Sequence, residues 1–178
     1  FELFRDLGRV PETILLPIGG GGLATGVACA LLLEADRTGQ PRPRVFGVQS
    51  EASPAMALSL DRGCAVEALE PLGPTLAEGL EGGISRAGFE RARAVLAGVL
   101  VVSEASIGTA MVALSRTTGL QIEGSAAAAL APLLDDLPAA VRSGDPDSDL
   151  VVVLTGGNVD ASVFQRLEVE YADAAKLW

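Results

Sequence analysis

The sequence predicts an α/β fold class, a three-layer αβα open parallel sheet, and three observations support this. Short apolar runs at residues 13–17, 44–49, 99–102 and 150–154 alternate with longer segments of helical periodicity. The last run is unbroken, which is typical of a strand covered on both faces. With 49% hydrophobic residues but only 4% aromatic ones, the core must be built from Ala, Val, Leu and Ile. Layered α/β domains commonly have such a core.

The first fifty residues form one β-loop-α-β unit. Residues 1–9 are typical of the tail of an amphipathic helix. A strand at 13–17 leads through a glycine loop into a helix that continues to about residue 37. The helical spacing is carried by Leu23, Val27, Ala30, Leu31 and Glu34. The strand at 44–49 completes the unit, for which we expect a right-handed crossover.

Helices and a strand surround one long irregular stretch in the middle of the chain. A short helix at 53–60 precedes residues 65–85, which have little periodicity and contain several Pro and Gly. Irregular stretches of this length in compact domains tend to carry function. A helix at about 86–97 and a strand at 99–102 restore regular structure. The next helix occupies 103–119, with a serine cap at its start and a glycine at its end.

The last third of the chain contains the most apolar strand. A helix is predicted at 126–134, and its alanine run suggests close packing against a neighbour. A polar loop at 135–149 leads to the strand at 150–154, which we expect at the buried centre of the sheet. A second glycine turn follows at 155–160. The final helix carries Val163, Phe164, Leu167 and Tyr171 on one face.

Charge and residue types exclude several classes of function. The formal charge of −10, from 23 acidic and 13 basic residues, disfavours a nucleic-acid backbone or an anionic membrane surface as a partner. The chain has no histidine, which excludes Ser-His-Asp and Cys-His sites. Cys29 and Cys64 lack metal-ligand spacing and are expected to be reduced thiols of a cytoplasmic protein. No apolar run has the length that spans a bilayer.

The glycine loop after the first strand is the strongest functional signal. Gly19, Gly20, Gly21 and Gly22 have no Cβ atoms, so several backbone N–H groups can converge there on one small anion. The following helix points its N-terminus, with unpaired N–H groups, at the same place. The loop therefore predicts a phosphate cradle. A flexible linker or a tight turn without a ligand is the alternative for any glycine run.

A Rossmann dinucleotide site is the rival interpretation, and it fits poorly. If Gly20 and Gly22 are the first two glycines of that fingerprint, the third should stand at position 25, which is Thr25. The second strand ends in Gln49, whereas a dinucleotide site needs an acid there to hold the ribose. Glu51 is the only candidate, and it lies two residues late.

Four unusual segments lie at or near the strand ends where an open parallel sheet binds its ligands. They are residues 19–23, 77–80, 122–125 and 155–158. In this order they resemble the C-terminal half of the pyridoxal-phosphate enzymes with the tryptophan synthase β-like fold, specifically the threonine and serine ammonia-lyase and serine racemase group. The resemblance covers residues 17–160. The pairing of Gly-Gly-Gly-Gly-Leu with a distal Thr-Gly-Gly-Asn-Val-Asp is far more specific than either motif alone.

The resemblance implies a role for each segment. The glycine loop and Leu23 would donate backbone N–H groups to the phosphate of pyridoxal 5'-phosphate, and the backbone at Gly79 would lie against this cofactor. Glu123 would be the catalytic glutamate near cofactor and substrate, and the Thr155 hydroxyl would face the pyridine nitrogen. A solvated acid at a helix start is the alternative for Glu123. A turn or cap hydroxyl is the alternative for Thr155.

The implied reaction converts a small amino acid, L-threonine or L-serine, to a 2-oxo acid and ammonia. A hydroxyl partner does not force the ring nitrogen to be protonated, so the ring is a gentler electron sink than one paired with a carboxylate. Such a site favours elimination at the β-carbon over transamination. A lysine would take the α-proton before the β-hydroxyl leaves. Three alternatives stay open: serine racemisation, a module that binds another phosphate or a nucleotide without covalent chemistry, and a non-catalytic structural domain.

Two positions depart from the family pattern. The serine racemase branch has an acidic metal ligand just after the second strand, where this chain has Gln49, with Glu51 nearby. The only lysine, Lys176, is close to the C-terminus, whereas the family's lysine lies in an N-terminal portion. We therefore interpret residues 1–178 as the C-terminal portion of a pyridoxal-phosphate-binding domain. The expected partners are an amino-acid substrate, the missing N-terminal portion and a second copy in a homodimer.

Overall fold

The computed structural model describes residues 1–135, 137–142 and 148–177, with side chains as far as Ala175. Its described strands are β1 (Thr13–Pro17), β2 (Arg44–Ser50), β3 (Gly98–Val102) and β4 (Leu150–Val152). They form one sheet in the spatial order β3-β2-β1-β4, and each pair of neighbours is parallel. The predicted parallel sheet is therefore confirmed.

Helices cover both faces of this sheet. They are α1 (Glu2–Leu7), α2 (Gly22–Thr38), α3 (Ala55–Arg62), α4 (Arg86–Val95), α5 (Glu104–Thr118), α6 (Gly124–Ala127) and α7 (Ala161–Glu170). Side chains of β1 alternate between the faces. Ile14 and Leu16 pack with α2, α3 and α4, whereas Leu15 packs with α5, α6 and α7. The three-layer αβα architecture is therefore confirmed.

Side-chain and glycine caps fix the ends of α5 where the sequence predicted them. Ser103 Oγ accepts a hydrogen bond from Ser106 N at 3.1 Å, which satisfies one of the free N–H groups of the first turn. The helix ends at Gly119, whose φ of +78° is the left-handed conformation that glycine adopts readily. The predicted cap and stop are both confirmed.

The buried face of α2 is not the predicted apolar stripe. Ala24, Ala28 and Ala35 are completely buried, whereas Leu23 is 49% exposed. Small side chains let the helix lie close to the sheet at the point where it leaves the glycine loop, because interiors are packed without voids. The apolar side chains of the predicted stripe line an open groove instead. Leu31 is the only residue of the stripe that is also buried.

β4 lies at an edge, so our expectation of a buried central strand at 150–154 is wrong for the described chain. Among the described residues, β4 pairs only with β1, and its side chains are half-buried or exposed. Val151, Val152 and Val153 line the same open groove as α1 and α2. Among the described residues, the apolar run is therefore only partly buried.

The predicted helix at 126–134 is wrong in its extent. α6 begins two residues earlier and covers four residues, and a 3₁₀ turn follows at Ala131–Leu133. Pro132 has no N–H group for a helical hydrogen bond, and Leu130 N already bonds three residues back, to Ala127 O. The close packing is confirmed, because Ala126 to Ala129 are completely buried. The predicted loop at 135–149 lies partly outside the described residues.

The helices that the structure describes are also too short or too polar to cross a membrane. The longest of them, α2, has 17 residues.

Candidate active site

The glycine loop joins the end of β1 to the start of α2 by a sharp turn. Ile18 donates its N–H to Val48 O at 3.0 Å, which continues the β1–β2 pairing one residue beyond Pro17. Gly21 is the N-cap residue of α2 and has a φ of +86°. Its carbonyl accepts the N–H of Thr25 at 3.0 Å, and this bond closes the first turn of the helix. A side chain at position 21 would strain this backbone.

The N–H groups of residues 19–24 have no protein acceptor among the described residues. They belong to the glycine loop and to the first turn of α2, where a helix leaves its N–H groups unsatisfied. The partial positive charge of the helix terminus acts at the same place. A phosphate group, with several oxygen acceptors and negative charge, suits this arrangement of donors.

One cavity of about 250 Å³ collects every site residue that the sequence indicated. Its wall contains residues 19–22 of the glycine loop together with Leu23, Gly79, Glu123 and Thr155. These positions come from four separate segments of the chain. The fold brings them together because each segment lies near the carboxyl ends of parallel strands, where open α/β sheets bind ligands.

Gly79 is held in this wall by Ser125. The Gly79 N–H donates to Ser125 Oγ at 3.0 Å, and a Cβ at position 79 would lie only 2.8 Å from that oxygen. Ser125 is 7% exposed and itself lines the cavity. Our sequence reasoning missed Ser125 as a site residue, although it follows Glu123 by two positions. Its partner is 46 residues away, so the sequence contains no direct signal of the contact.

Glu123 turns its carboxylate towards the second glycine turn rather than capping α6. Oε2 accepts the N–H of Asn158 at 3.2 Å, and the backbone N–H of Glu123 donates to Gly156 O at 3.2 Å. A Cβ at position 156 would lie 2.6 Å from Glu123 Oε1. The glycine turn thus bonds to both the side chain and the backbone of Glu123. The side chain is half-buried at the cavity wall.

Thr155 lies three residues beyond the end of β4 and lines the cavity. It is exposed, and its hydroxyl has no hydrogen-bond partner among the described residues. It does not cap α7, which begins after Asp160. The hydroxyl is therefore free to bond to a molecule in the cavity.

The sequence profile described as that of pyridoxal-phosphate-dependent enzymes matches residues 1–156. The chain belongs to this family. Members of the pyridoxal-phosphate-dependent family bind a cofactor with one phosphate group and one pyridine ring. The donors in the cavity fit both parts, because the described residues provide no acceptor for the N–H groups of residues 19–24 and no partner for the Thr155 hydroxyl.

Known members of the pyridoxal-phosphate-dependent family are similar to most of this chain. The L-threonine ammonia-lyase of Geobacter sulfurreducens is 38% identical over 162 residues, covering 89% of this chain and 37% of that protein. The solved L-serine ammonia-lyase of Rhizomucor miehei has a TM-score of 0.79 at 27% identity and covers 96% and 53%. Serine racemase of Dictyostelium discoideum has a TM-score of 0.72 at 25% identity and covers 89% and 47%. The chain thus spans about half the length of these proteins or less.

A partly buried hydrogen-bond network holds the irregular stretch that carries Gly79, and sequence reasoning missed it. The carboxylate of Glu104, at the start of α5, accepts hydrogen bonds from Ser50 Oγ, from Thr75 Oγ1 at 2.7 Å and from Leu76 N at 2.7 Å. The network joins the end of β2 and the first turn of α5 to the segment that leads into the cavity wall. Bonds to an ionised carboxylate are among the stronger ones in proteins.

We expect Glu104→Gln to lower the free energy of unfolding by about 1–2 kcal/mol. The carboxylate accepts hydrogen bonds at both of its oxygens, whereas the NH₂ group of a glutamine amide cannot accept one, so at least one of the three bonds would be lost. Urea denaturation measures this change. Glu90→Gln is the matched control, since Glu90 only forms an exposed ion pair with Arg93 and should change stability by less than about 0.5 kcal/mol. Equal stability of the two variants would contradict the role given to Glu104.

The side chains of Gln49 and Glu51, where the family pattern has a metal ligand, both form hydrogen bonds with backbone groups. Gln49 is completely buried, and both ends of its amide bond to backbone groups. Glu51 Oε1 accepts the N–H of Glu104 at 3.1 Å. In the part of the chain that the structure describes, no three His, Cys, Asp or Glu side chains are placed to hold a metal ion together.

The single lysine follows Ala175, which is buried in the core shared with α5. The backbone at Lys176 belongs to a 3₁₀ turn at Ala174–Leu177. The side chain of Lys176 lies outside the described residues.

Proposed function

We propose that this chain is the cofactor-binding part of an ammonia-lyase that deaminates L-threonine or L-serine. The products are a 2-oxo acid and ammonia. The observation that carries the proposal is the single cavity that unites the unsatisfied N–H groups of the glycine loop with Glu123 and Thr155. The similarity to a threonine ammonia-lyase and a serine ammonia-lyase supports the same reaction.

The N–H groups of residues 19–23 would bind the cofactor phosphate, and the backbone at Gly79 would lie against the cofactor. The phosphate would then be bound by backbone dipoles, although the net charge of the chain is −10. When bound, pyridoxal phosphate supplies an electron sink for the α-carbon of the amino acid. Ser125 would keep the Gly79 backbone in place through its 3.0 Å hydrogen bond.

Glu123 and Thr155 would act on the ring and the substrate. The Thr155 hydroxyl would bond to the pyridine nitrogen without forcing its protonation, which favours elimination. Glu123 would stand near the cofactor and the substrate, with its carboxylate held by Asn158 N at 3.2 Å. That bond limits how far the acid can swing, so its position relative to the cavity is defined before substrate arrives.

We also propose that the missing portion of the enzyme, with its lysine, packs in a groove of about 730 Å³ beside β4. This edge groove is lined by Phe1, Glu2, Leu3, Gly22, Leu23, Gly26, Val27, Ala30, Leu31 and Val151–Val153. Gly22 and Leu23 also line the cavity. A segment in the edge groove would therefore lie directly beside the cofactor, where the covalent chemistry needs an amine.

Sedimentation of the complete enzyme would test the expected homodimer.

The reaction is tested by incubating the full-length protein with L-threonine and with L-serine. We expect ammonia and 2-oxo acid in equal amounts, measured by enzymatic assay. Serine racemisation is the second candidate, because serine racemase of Dictyostelium discoideum has the same fold at 25% identity. Chiral chromatography separates the two: more D-serine than pyruvate would favour the racemase. Absence of both products would refute the proposal.

Thr155→Ala should lower the affinity for pyridoxal phosphate about tenfold, because one hydrogen bond to the ring is lost. Turnover should fall with it. Thr155→Ser retains the hydroxyl and should stay within about twofold of the unaltered protein. Titration followed by visible absorbance measures affinity, and ammonia release measures turnover. If the alanine variant binds and turns over like the serine variant, the hydroxyl does not contact the ring.

A further inference from the structure

Gln49 is a completely buried polar side chain whose three hydrogen bonds all go to backbone groups. Its Nε2 donates to Ile18 O at 3.0 Å. Its Oε1 accepts the N–H groups of Met56 at 2.9 Å and Ala57 at 3.1 Å, in the first turn of α3. One amide therefore links the start of the glycine loop to a helix that has no side-chain cap of its own.

Three successive residues of β2 act on the single residue Ile18. Gly47 makes room for the Ile18 side chain, since a Cβ there would lie 2.6 Å from Ile18 Cγ2. Val48 O accepts the Ile18 N–H at 3.0 Å, and Gln49 donates to the Ile18 carbonyl. That carbonyl belongs to the peptide whose N–H is the first free donor of the glycine loop, at Gly19. The orientation of this peptide plane therefore sets the direction of the donor.

We infer that Gln49 is a positioning residue that aims the first N–H of the glycine loop at the phosphate of the cofactor. The inference rests on the proposed role of that loop and extends it to a side chain outside the cavity wall. Without the bond from Nε2, the Ile18–Gly19 peptide would be free to rotate, because glycine at position 19 allows many backbone conformations. The phosphate would then lose a fixed donor.

The experiment compares pyridoxal phosphate with pyridoxal, which lacks the phosphate, in the full-length protein. Gln49→Glu keeps an oxygen for Met56 N and Ala57 N; at alkaline pH, where the new carboxyl group is ionised, it replaces the donor to Ile18 O with a second oxygen. Gly47→Ala disturbs the same residue from its side chain and provides a second variant if the first folds poorly. Ser59→Ala is the matched control: Ser59 is also completely buried on α3, bonded to Ala55 O at 2.6 Å and to Val66 N at 2.9 Å.

We expect the unaltered protein to bind pyridoxal phosphate more tightly than pyridoxal. Gln49→Glu and Gly47→Ala should each reduce this preference about tenfold, with pyridoxal affinity within about twofold. Ser59→Ala should leave the preference unchanged. Equal losses for both ligands, or an unchanged preference in the folded variants, would overturn the positioning role alone. If the unaltered protein shows no preference for the phosphate form, the proposed cofactor site is wrong as well.

Discussion

The 178-residue chain on its own should release no ammonia from L-threonine or L-serine, even with pyridoxal phosphate present. The proposed chemistry needs a lysine amine that is a nucleophile near neutral pH inside the site. The only lysine is Lys176, whose neighbour Ala175 is buried in the core beside α5. The cofactor should therefore bind to this chain weakly and without a covalent link.

The control for this prediction restores a lysine-bearing N-terminal portion, either fused to the chain or as a separate polypeptide. Covalent cofactor binding and ammonia release should then appear together. Borohydride reduction followed by mass spectrometry identifies the residue that carries the cofactor. A pyridoxyl adduct on Lys176 of the separate chain, accompanied by turnover, would show that the fragment interpretation is mistaken.

Gly124→Ala should damage both the stability and the cavity. A Cβ at this position would lie 2.0 Å from Leu76 O and 2.4 Å from Leu76 C, which are backbone atoms and cannot move aside alone. The displaced segment leads to Gly79, and position 124 lies between Glu123 and Ser125 in the cavity wall. Overpacking of this kind costs about 1–3 kcal/mol of unfolding free energy. Affinity for pyridoxal phosphate should fall at least about tenfold as the wall shifts.

The matched control is Gly73→Ala, in the irregular stretch between α3 and α4. A Cβ there would meet no atom of the described residues within 4 Å, and Gly73 does not have a positive φ. Alanine restricts the unfolded chain more than glycine does, so this variant should be as stable as the unaltered protein or more stable by up to about 1 kcal/mol. Urea denaturation and cofactor titration measure both variants. Unfolding of Gly124→Ala at the same urea concentration as the unaltered protein would contradict the close approach.

Local signals in the sequence were sufficient for the parallel sheet, the cap at Ser103 and the stop at Gly119. Each of these depends on periodicity or on the chemistry of a few adjacent residues. The gathering of the glycine loop, Gly79, Glu123 and Thr155 in one cavity was also predictable, because strand ends of a parallel sheet share one edge.

The remaining features depend on distant partners that no local pattern reveals. Ser125 and Glu104 bond to positions 46 and 28 or more residues away. The position of β4 at the edge of the sheet depends on its pairing with β1. An apolar run indicates that a strand is buried, but it does not say which strand or segment covers it. The predicted extent of α6 was wrong for a local reason: the N–H groups of Ala129 and Leu130 already bond three residues back, and Pro132 has no N–H group to resume an α-helix.

Among the described residues, β4 is paired on one side only, and this has a practical consequence for handling the chain. A short apolar strand with free N–H and C=O groups is a template for pairing with another polypeptide. Two copies produced without a partner could add to each other strand by strand along this side, and the product would be an insoluble aggregate. Lysine or proline in place of Leu150, which is the first residue of β4 and is 36% exposed, would block such pairing. Co-production with the N-terminal portion that we propose for the edge groove would serve the same purpose without altering the chain.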